Sequence, residues 1–598
     1  MFRLNLMCLV ALCTCSAREP PILTIPNQGQ LQGMEMSLIR TQRIIAYLGI
    51  PYAHPPLNQL RFAPPQIDPI PSWEGVYDAT KFKDPCLQTE KDYKQQEIPF
   101  LNLFSQLSFN ISEDCLYLNV FVPYGNPPPE GFATIIWFHP GNFTTGNPGM
   151  WNPHTLIYKQ RVIVVTFAWR LNIMGFLTTM DGEAPGNFGL MDQQAAMMWV
   201  KSNIQIFGGN ADNICLMGYG TGAMSIAIHM INPQSKGLFH KVISMSGNFM
   251  NSAAVKNPAE DKTVLDDLAA SFACYRTPTS SLMECLRRLD GASLVSHTSY
   301  VNWRPVIDLG LSNSSEPFLR ESPRAHFERG DFNKVPVLTG YTNMEDILSI
   351  DGLNDEIEDE KILTVLNEIV NRDLPVINNT DSCIYNYDHI MDSVMFFYGP
   401  SVPLNNTQKA RQLIADFNTE KYYGSSTYLH AFITSKDQPT YMYRFDMKPS
   451  TEGVTGNIPK WVSVPHLYDL IYIWGIPYWI ALPKQEWDLR DKRTSDIIMS
   501  FWTNFAKTSD PTEGSIFPIK WDPFTKDDPG ILIIDRTFNM SDQTRLNYKS
   551  FKFWNEYYPK VIELATQCCN ATDSAPIIHR SYSLYTIFLP YIILLFAW

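Results

Sequence analysis

The chain has 598 residues, 45% of them hydrophobic and 18% charged, enough for one very large α/β domain or several smaller ones. Its formal net charge is -13 and it contains no basic run, which argues against nucleic acid as a partner, since phosphate binding rests on clustered Lys and Arg. No cofactor and no metal is implied.

Residues 1–17 carry Arg3, an apolar stretch from Met7 to Cys13 and a small-residue exit at Cys15-Ser-Ala17. This is the pattern of a secretory signal peptide, with a buried first strand as the competing reading. From Ile22 to Val120 the chain reads as short strands and turns, with Pro-rich loops at His54-Pro-Pro56 and Ala63-Pro-Pro-Gln66. Phe132–Phe138 and Arg161–Phe167 are apolar, β-branched runs of the kind that central strands use, and Asp192–Asn203 reads as a helix. Seven glycosylation sequons, at Asn110, Asn142, Asn313, Asn378, Asn405, Asn539 and Asn570, suit a secreted glycoprotein.

The stretch from Asn213 to Ser225, with Gly218, Gly220 and Gly222 in its middle, reads as a buried strand, a sharp turn and a helix. That is the setting of a G-x-S-x-G nucleophile elbow, in which a strained central residue lifts its hydroxyl above the sheet while the flanking glycines admit neighbouring backbone. Here the central residue is Gly220, so the scaffold is written without the attacking oxygen. The alternation of strands and helices predicts an α/β fold with a doubly wound sheet. No linker interrupts it, and one domain is expected over residues 18–564.

Residues 565–575 form a tail, and residues 576–598 end in the apolar run Leu584–Trp598, broken by Pro590 and too short to span a bilayer comfortably. With the small-residue group around Asp573 and Ser574, the pattern is that of a GPI signal, cleaved at one of those two residues. The expected location is then the outer face of the plasma membrane, held by a lipid anchor. A short transmembrane tail, a buried strand and outright secretion are the alternatives.

Several further motifs occur in a familiar order. They include Leu48-Gly-Ile-Pro-Tyr-Ala53, Arg61-Phe62, Glu113-Asp-Cys-Leu-Tyr-Leu-Asn-Val120, Arg170-Leu171, Gly186-Asn-Phe-Gly-Leu-Met-Asp-Gln193, Phe207-Gly-Gly209, Ser246-Gly247, Phe505-Ala-Lys507 and Asp510-Pro511. On these the chain resembles the carboxylesterase and cholinesterase family of α/β-hydrolases over nearly its whole length. The resemblance implies a large central sheet, mixed and mostly parallel, flanked by helices. It implies a triad at positions 220, 345 and 466, occupied by Gly220, Glu345 and His466.

The family carries glycine after the acid and after the histidine; Asp346 and Leu467 stand there, so the local turns are expected to differ. The oxyanion-hole positions are Gly141, Asn142 and Thr221, with Pro140 bringing no N–H, so restoring a serine alone is expected to restore little turnover. The loop holding Asn142 is expected to be buried, leaving that sequon unmodified. Thr221 and Ser225 read as helix-terminus and packing hydroxyls, and Cys215 as a buried small hydrophobe.

The resemblance also implies disulfides Cys86–Cys115 and Cys274–Cys285. The family's third bond has no match, because no cysteine lies between Cys383 and Cys568. Cys383 then reads as free, while Cys568 and Cys569 either make intermolecular bonds or supply one partner for Cys383, and the sequence leaves this open. The loop from Cys86 to Cys115 has Ser105 where cholinesterases carry a ligand-binding tryptophan, which argues against acetylcholine.

Loss of the nucleophile is similar to that in the neuroligins. The leading expectation is therefore a catalytically inactive cell-surface glycoprotein that binds an extracellular protein, with a second copy of itself as one partner. A non-hydrolysing binder of an apolar ester or lipid is the alternative, followed by weak ester hydrolysis with His466 activating water.

Overall fold

The computed structural model describes residues 22–39, 42–91, 110–250, 254–311, 316–349, 364, 366–368, 370–371, 374, 383–399, 407–451, 458–479, 486–542 and 544–568. The signal peptide, the candidate anchor at Asp573 and Ser574, Ser105, Cys569 and the sequons at Asn313, Asn378, Asn405 and Asn570 lie outside the described residues.

Among the described residues eleven strands form the main sheet: β1 (Met34–Ile39), β2 (Gln42–Pro51), β3 (Tyr117–Pro123), β4 (Phe132–Phe138), β5 (Ile163–Phe167), β6 (Gly209–Tyr219), β7 (Lys241–Met245), β8 (Val337–Thr342), β9 (Thr440–Phe445), β10 (Ile531–Ile534) and β11 (Asn539–Met540). Their spatial order is β11-β10-β9-β8-β7-β6-β4-β5-β3-β2-β1. All pairs from β10 across to β5 are parallel, while β11 at one end and β3, β2 and β1 at the other pair antiparallel. The sheet is thus mixed and mostly parallel, as expected, and the parallel strands sit where both faces are covered.

The two-residue period of the strands divides their side chains between two cores. Ile136, Val165, Leu216, Val242 and Val337 point to one face, covered by helices α1 (Phe188–Asn203) and α2 (Thr221–Ile231). Their neighbours Ile135, Val164, Cys215, Ile243 and Leu338 point to the other, covered in part by the helix Leu489–Thr508 with Trp502 and Phe505. This double burial explains why β4 and β5 read as unbroken apolar runs. Strand β4 spans the expected residues, whereas β5 starts at Ile163 because Arg161 takes a left-handed backbone ending the preceding helix. Helix α1 begins at Phe188, earlier than expected, with Asn187 left-handed before it.

The family motifs that carry charge are structural ties. Arg61 pairs with Glu113 through two bonds of 2.6 Å, and Arg170 grips Asp192 with bonds of 2.8 and 2.7 Å in a fully buried pair. Both expected disulfides are present, Cys86–Cys115 and Cys274–Cys285. A separate two-stranded ribbon pairs Cys383–Tyr385 antiparallel with Thr566–Cys568, so residues expected to begin the tail at 565 are instead the end of a helix and a strand of the domain.

Candidate functional site

The site lies at the carboxyl ends of β6, β7 and β8. Strand β6 ends at Tyr219, helix α2 starts at Thr221, and Gly220 alone makes the turn with φ 52 and ψ -119. That backbone is one in which a side chain is strained by about 1–3 kcal/mol, so glycine relieves the elbow. The flanking glycines are required by contact: a Cβ at Gly218 would lie 2.7 Å from the Gly222 carbonyl carbon, and one at Gly222 would lie 2.2 Å from Phe138 O. The elbow is therefore intact as a backbone device.

Room for a side chain at the apex also survives. A Cβ built on Gly220 meets only the His466 ring, at 3.5 Å from Nε2 and 3.9 Å from Cε1. The elbow thus points at the imidazole, as an activated nucleophile requires. Among the described residues no hydroxyl or thiol is hydrogen-bonded to His466 Nε2. Thr221 opens the helix, and Ser225 is fully buried, donating to Thr221 O at 3.0 Å and accepting from Gln193 Nε2 at 3.2 Å. Cys215 is buried in the strand, and burial pushes its thiol up to about 12.

The acid and base meet as the resemblance implied. His466 Nδ1 bonds Glu345 Oε2, while Glu345 Oε1 accepts from Ser246 Oγ at 2.6 Å and from Thr342 N at 2.7 Å. Glu345 is fully buried and its own N–H donates to Thr419 Oγ1 at 3.0 Å. Burial works against a charge on His466, but the Glu345 carboxylate and its hydrogen bond outweigh it, and the imidazole is pushed up to about 9. It therefore holds its proton at neutral pH.

Three further residues complete this network. Tyr219, the residue before the apex, sends its ring edge-on to His466 at 4.8 Å; its hydroxyl accepts from Leu467 N at 2.7 Å and lies 3.0 Å from Ser246 Oγ. Asp469, on the turn after His466, takes a bond from the Tyr443 hydroxyl at 3.3 Å. Burial first, and the nearby Glu345 charge second, push Asp469 up to about 7. The sequence offers Ser246 only as part of the Ser246-Gly247 motif and gives no sign that it meets Tyr219, or that Tyr219 meets Asp469. The only local signals were Ser246-Gly247 after a strand and an acid three residues beyond His466.

Two expectations are corrected. Asp346 and Leu467 adopt φ 52 and φ 74, so the turns after acid and base keep a left-handed, glycine-like conformation although neither residue is glycine. Asp tolerates this region, and Asp346 is held there by the Tyr423 hydroxyl at 2.6 Å. The oxyanion loop is also not buried throughout: Asn142 is exposed between buried Gly141 and Phe143. Its exposure follows from left-handed backbone at Asn142 and Phe143, φ 52 and φ 59, which turns the Asn142 side chain out while Phe143 packs on Phe176. Asn110 and Asn539 are exposed as well.

The loop itself is tightly made. Gly141 O accepts from Thr144 N and Thr145 N at 2.9 and 2.8 Å, and Phe143 O accepts from Asn172 N at 2.7 Å. Among the described residues, the N–H groups of Gly141, Asn142 and Thr221 meet no acceptor. Donors are thus present at all three oxyanion positions despite Pro140.

Comparison with known proteins agrees with this geometry. The profile of the Carboxylesterase family matches residues 19–554. Among similar proteins, an acetylcholinesterase of Bungarus fasciatus is 28% identical over 581 residues, covering 93% of this chain and 88% of its own. A medium-chain fatty acyl-CoA hydrolase precursor of Anas platyrhynchos is 26% identical over 91% of this chain and 94% of its own. Carboxylesterase 1D of Rattus norvegicus is 28% identical over the same shares. With the sheet order, the elbow and the acid–base pair, the match is complete in outline, and the chain belongs to the carboxylesterase family.

Proposed function

We propose that the protein is a non-hydrolysing member of this family, displayed outside the cell as a glycoprotein and acting by binding another protein, as in adhesion. The observation that carries this reading is the bare apex at Gly220, with no other hydroxyl or thiol among the described residues bonded to His466 Nε2. Acyl transfer on this scaffold needs an oxygen or sulfur there. Direct activation of water by His466 is disfavoured as well, because a general base must be neutral and this imidazole is pushed up to about 9. Two helices near the end of the domain, α3 (Tyr387–Tyr398) and α4 (Tyr558–Ala565), pack on each other and expose Phe396 and Leu564 at 94% and 82%. Such apolar surface supports a protein partner, a second copy included.

A second reading has its own support. The N–H groups of Gly141, Asn142 and Thr221, without acceptors among the described residues, and the protonated imidazole that faces the elbow suit the polar end of an ester or lipid that is held and not cut.

Both readings fail together if the secreted chain hydrolyses. The test is a fluorophosphonate probe and a short-chain ester assay on the wild type and on His466→Ala. Neither protein should be labelled or turn over substrate above background; His466-dependent labelling of the wild type would overturn the proposal. Proximity labelling on intact cells, before and after a phosphatidylinositol-specific phospholipase, would then separate a protein partner from none and check the lipid anchor.

A further inference from the structure

We propose that Cys383 and Cys568 are joined by a third disulfide, which locks the last strand of the domain to the start of helix α3. The two residues are direct partners in the antiparallel ribbon, Cys383 opposite Cys568, Ile384 opposite Gln567 and Tyr385 opposite Thr566. One more bond fixes which kind of pair they are. Asn386 N donates to Ala565 O at 2.8 Å, so positions 386 and 565 are a hydrogen-bonded pair of the same register. Pair types alternate along an antiparallel ladder. Tyr385 and Thr566 are then a non-hydrogen-bonded pair, Ile384 and Gln567 a hydrogen-bonded one, and Cys383 and Cys568 a non-hydrogen-bonded one. In such pairs the Cα atoms stand about 4.5 Å apart. That falls inside the 4.4–6.8 Å range that a disulfide accepts.

Packing next to the ribbon holds this register. Helix α3 follows Cys383 by a few residues, α4 precedes Cys568 by a few, and Ile390 and Val394 share a core with Phe553, Trp554 and Ala565. A one-residue slip would move Cys569 toward Cys383 but would break the bond from Asn386 to Ala565. The setting is oxidising, because two other disulfides already form among the described residues. In forming the bond each thiol loses a proton and an electron, and a disulfide-carrying oxidoreductase takes up both electrons and leaves as a dithiol. The bond is not the family's third one, for which this chain has no cysteine. It would close a long loop and tie down the chain at the point where the tail leaves the domain.

The test needs only the full chain secreted from cells. Denaturation in N-ethylmaleimide without reductant, removal of N-glycans, proteolysis and tandem mass spectrometry should give a peptide pair joining Cys383 to Cys568, lost on reduction. Fragments on either side of the bond between residues 568 and 569 place the bridge, and Cys569→Ser should retain it. Alkylation of both Cys383 and Cys568 in the wild type, or a bridge from Cys383 to Cys569, overturns the proposal. As a second readout, Cys383→Ser and Cys568→Ser should lower the thermal midpoint by equal shifts, and the double variant by no more than either. Additive shifts would overturn it equally.

Discussion

The elbow at Gly220 and the pair Glu345–His466 belong to one catalytic design, in which a Cβ at the apex would stand 3.5 Å from His466 Nε2, yet only the elbow lacks its functional side chain. The difference lies in what each side contributes to folding. Removing a hydroxymethyl group from the apex leaves every backbone contact of the elbow in place and releases strain, so nothing in the fold resists the loss. Removing Glu345 would take away the carboxylate that keeps the proton on the imidazole and leave the Ser246 hydroxyl and the Thr342 N–H without their acceptor. The acid is held in the fold by the cost of leaving these donors without an acceptor, whether or not the pair acts on anything.

The largest expected effect tests that claim directly. Glu345→Ala should cost about 2–4 kcal/mol in denaturant unfolding, because His466, Ser246 and the Thr342 N–H lose one shared acceptor. A loss below about 1 kcal/mol, the value of an exposed pair, would mean that folding does not need the pair and that its retention has another cause.

Next in size is the dependence on pH. His466 has its folded pKa raised to about 9, above the unfolded imidazole's 6.5. The stability it contributes is therefore full below about pH 6.5 and is lost as pH rises through 9, on the order of 3 kcal/mol in all. Asp469, raised to about 7, acts with the same sign at lower pH, its contribution fading between about 4 and 7. Thermal melts from pH 5 to 9.5 should show a steady decline, and Glu345→Gln should flatten the upper part of it. An unchanged slope above pH 7 in that variant would separate the imidazole's titration from its carboxylate.

Smaller in stability but more telling in chemistry is Gly220→Ser. It should destabilise by about 1–3 kcal/mol, as should Gly220→Ala, because both place a Cβ on the strained apex. Only the serine variant should gain fluorophosphonate labelling, slow at neutral pH and faster as pH rises toward 9 and His466 gives up its proton, and that gain should vanish when His466→Ala is added. Ester turnover is expected to remain low in the single variant. Substantial turnover would show that the N–H groups of Gly141, Asn142 and Thr221 suffice as they stand.

What could be read in the sequence follows the same division. The elbow, the central strands and the positions of Gly220, Glu345 and His466 were legible, because close backbone passage forces glycine at 218 and 222 and double burial forces apolar runs. The turns after acid and base were misread: left-handed backbone at Asp346 and Leu467 is imposed by the network around them, and no local residue choice announces it. The links among Tyr219, Ser246 and Asp469 come from strand ends far apart in the chain and exist only once the sheet is assembled. Exposure of Asn142 was hidden for a related reason, since it depends on which way a left-handed pair of residues turns the loop.

The smallest expected effect concerns Ser225, the one remaining hydroxyl a turn inside the elbow helix. Its Oγ donates to Thr221 O and accepts from Gln193, whose other end meets His229 at 3.0 Å, so all its bonds run into the helix and core and none toward His466. Ser225→Ala leaves one Gln193 donor without an acceptor and should cost about 1 kcal/mol. Made on the Gly220→Ser background, it should leave the labelling rate as it was, because nothing it touches lies on the path between the apex and the imidazole. A several-fold fall in that rate, with stability nearly unchanged, would put Ser225 in the reacting geometry and bring the elbow's first helical turn, now counted as scaffold, onto the side of the site that keeps its chemistry.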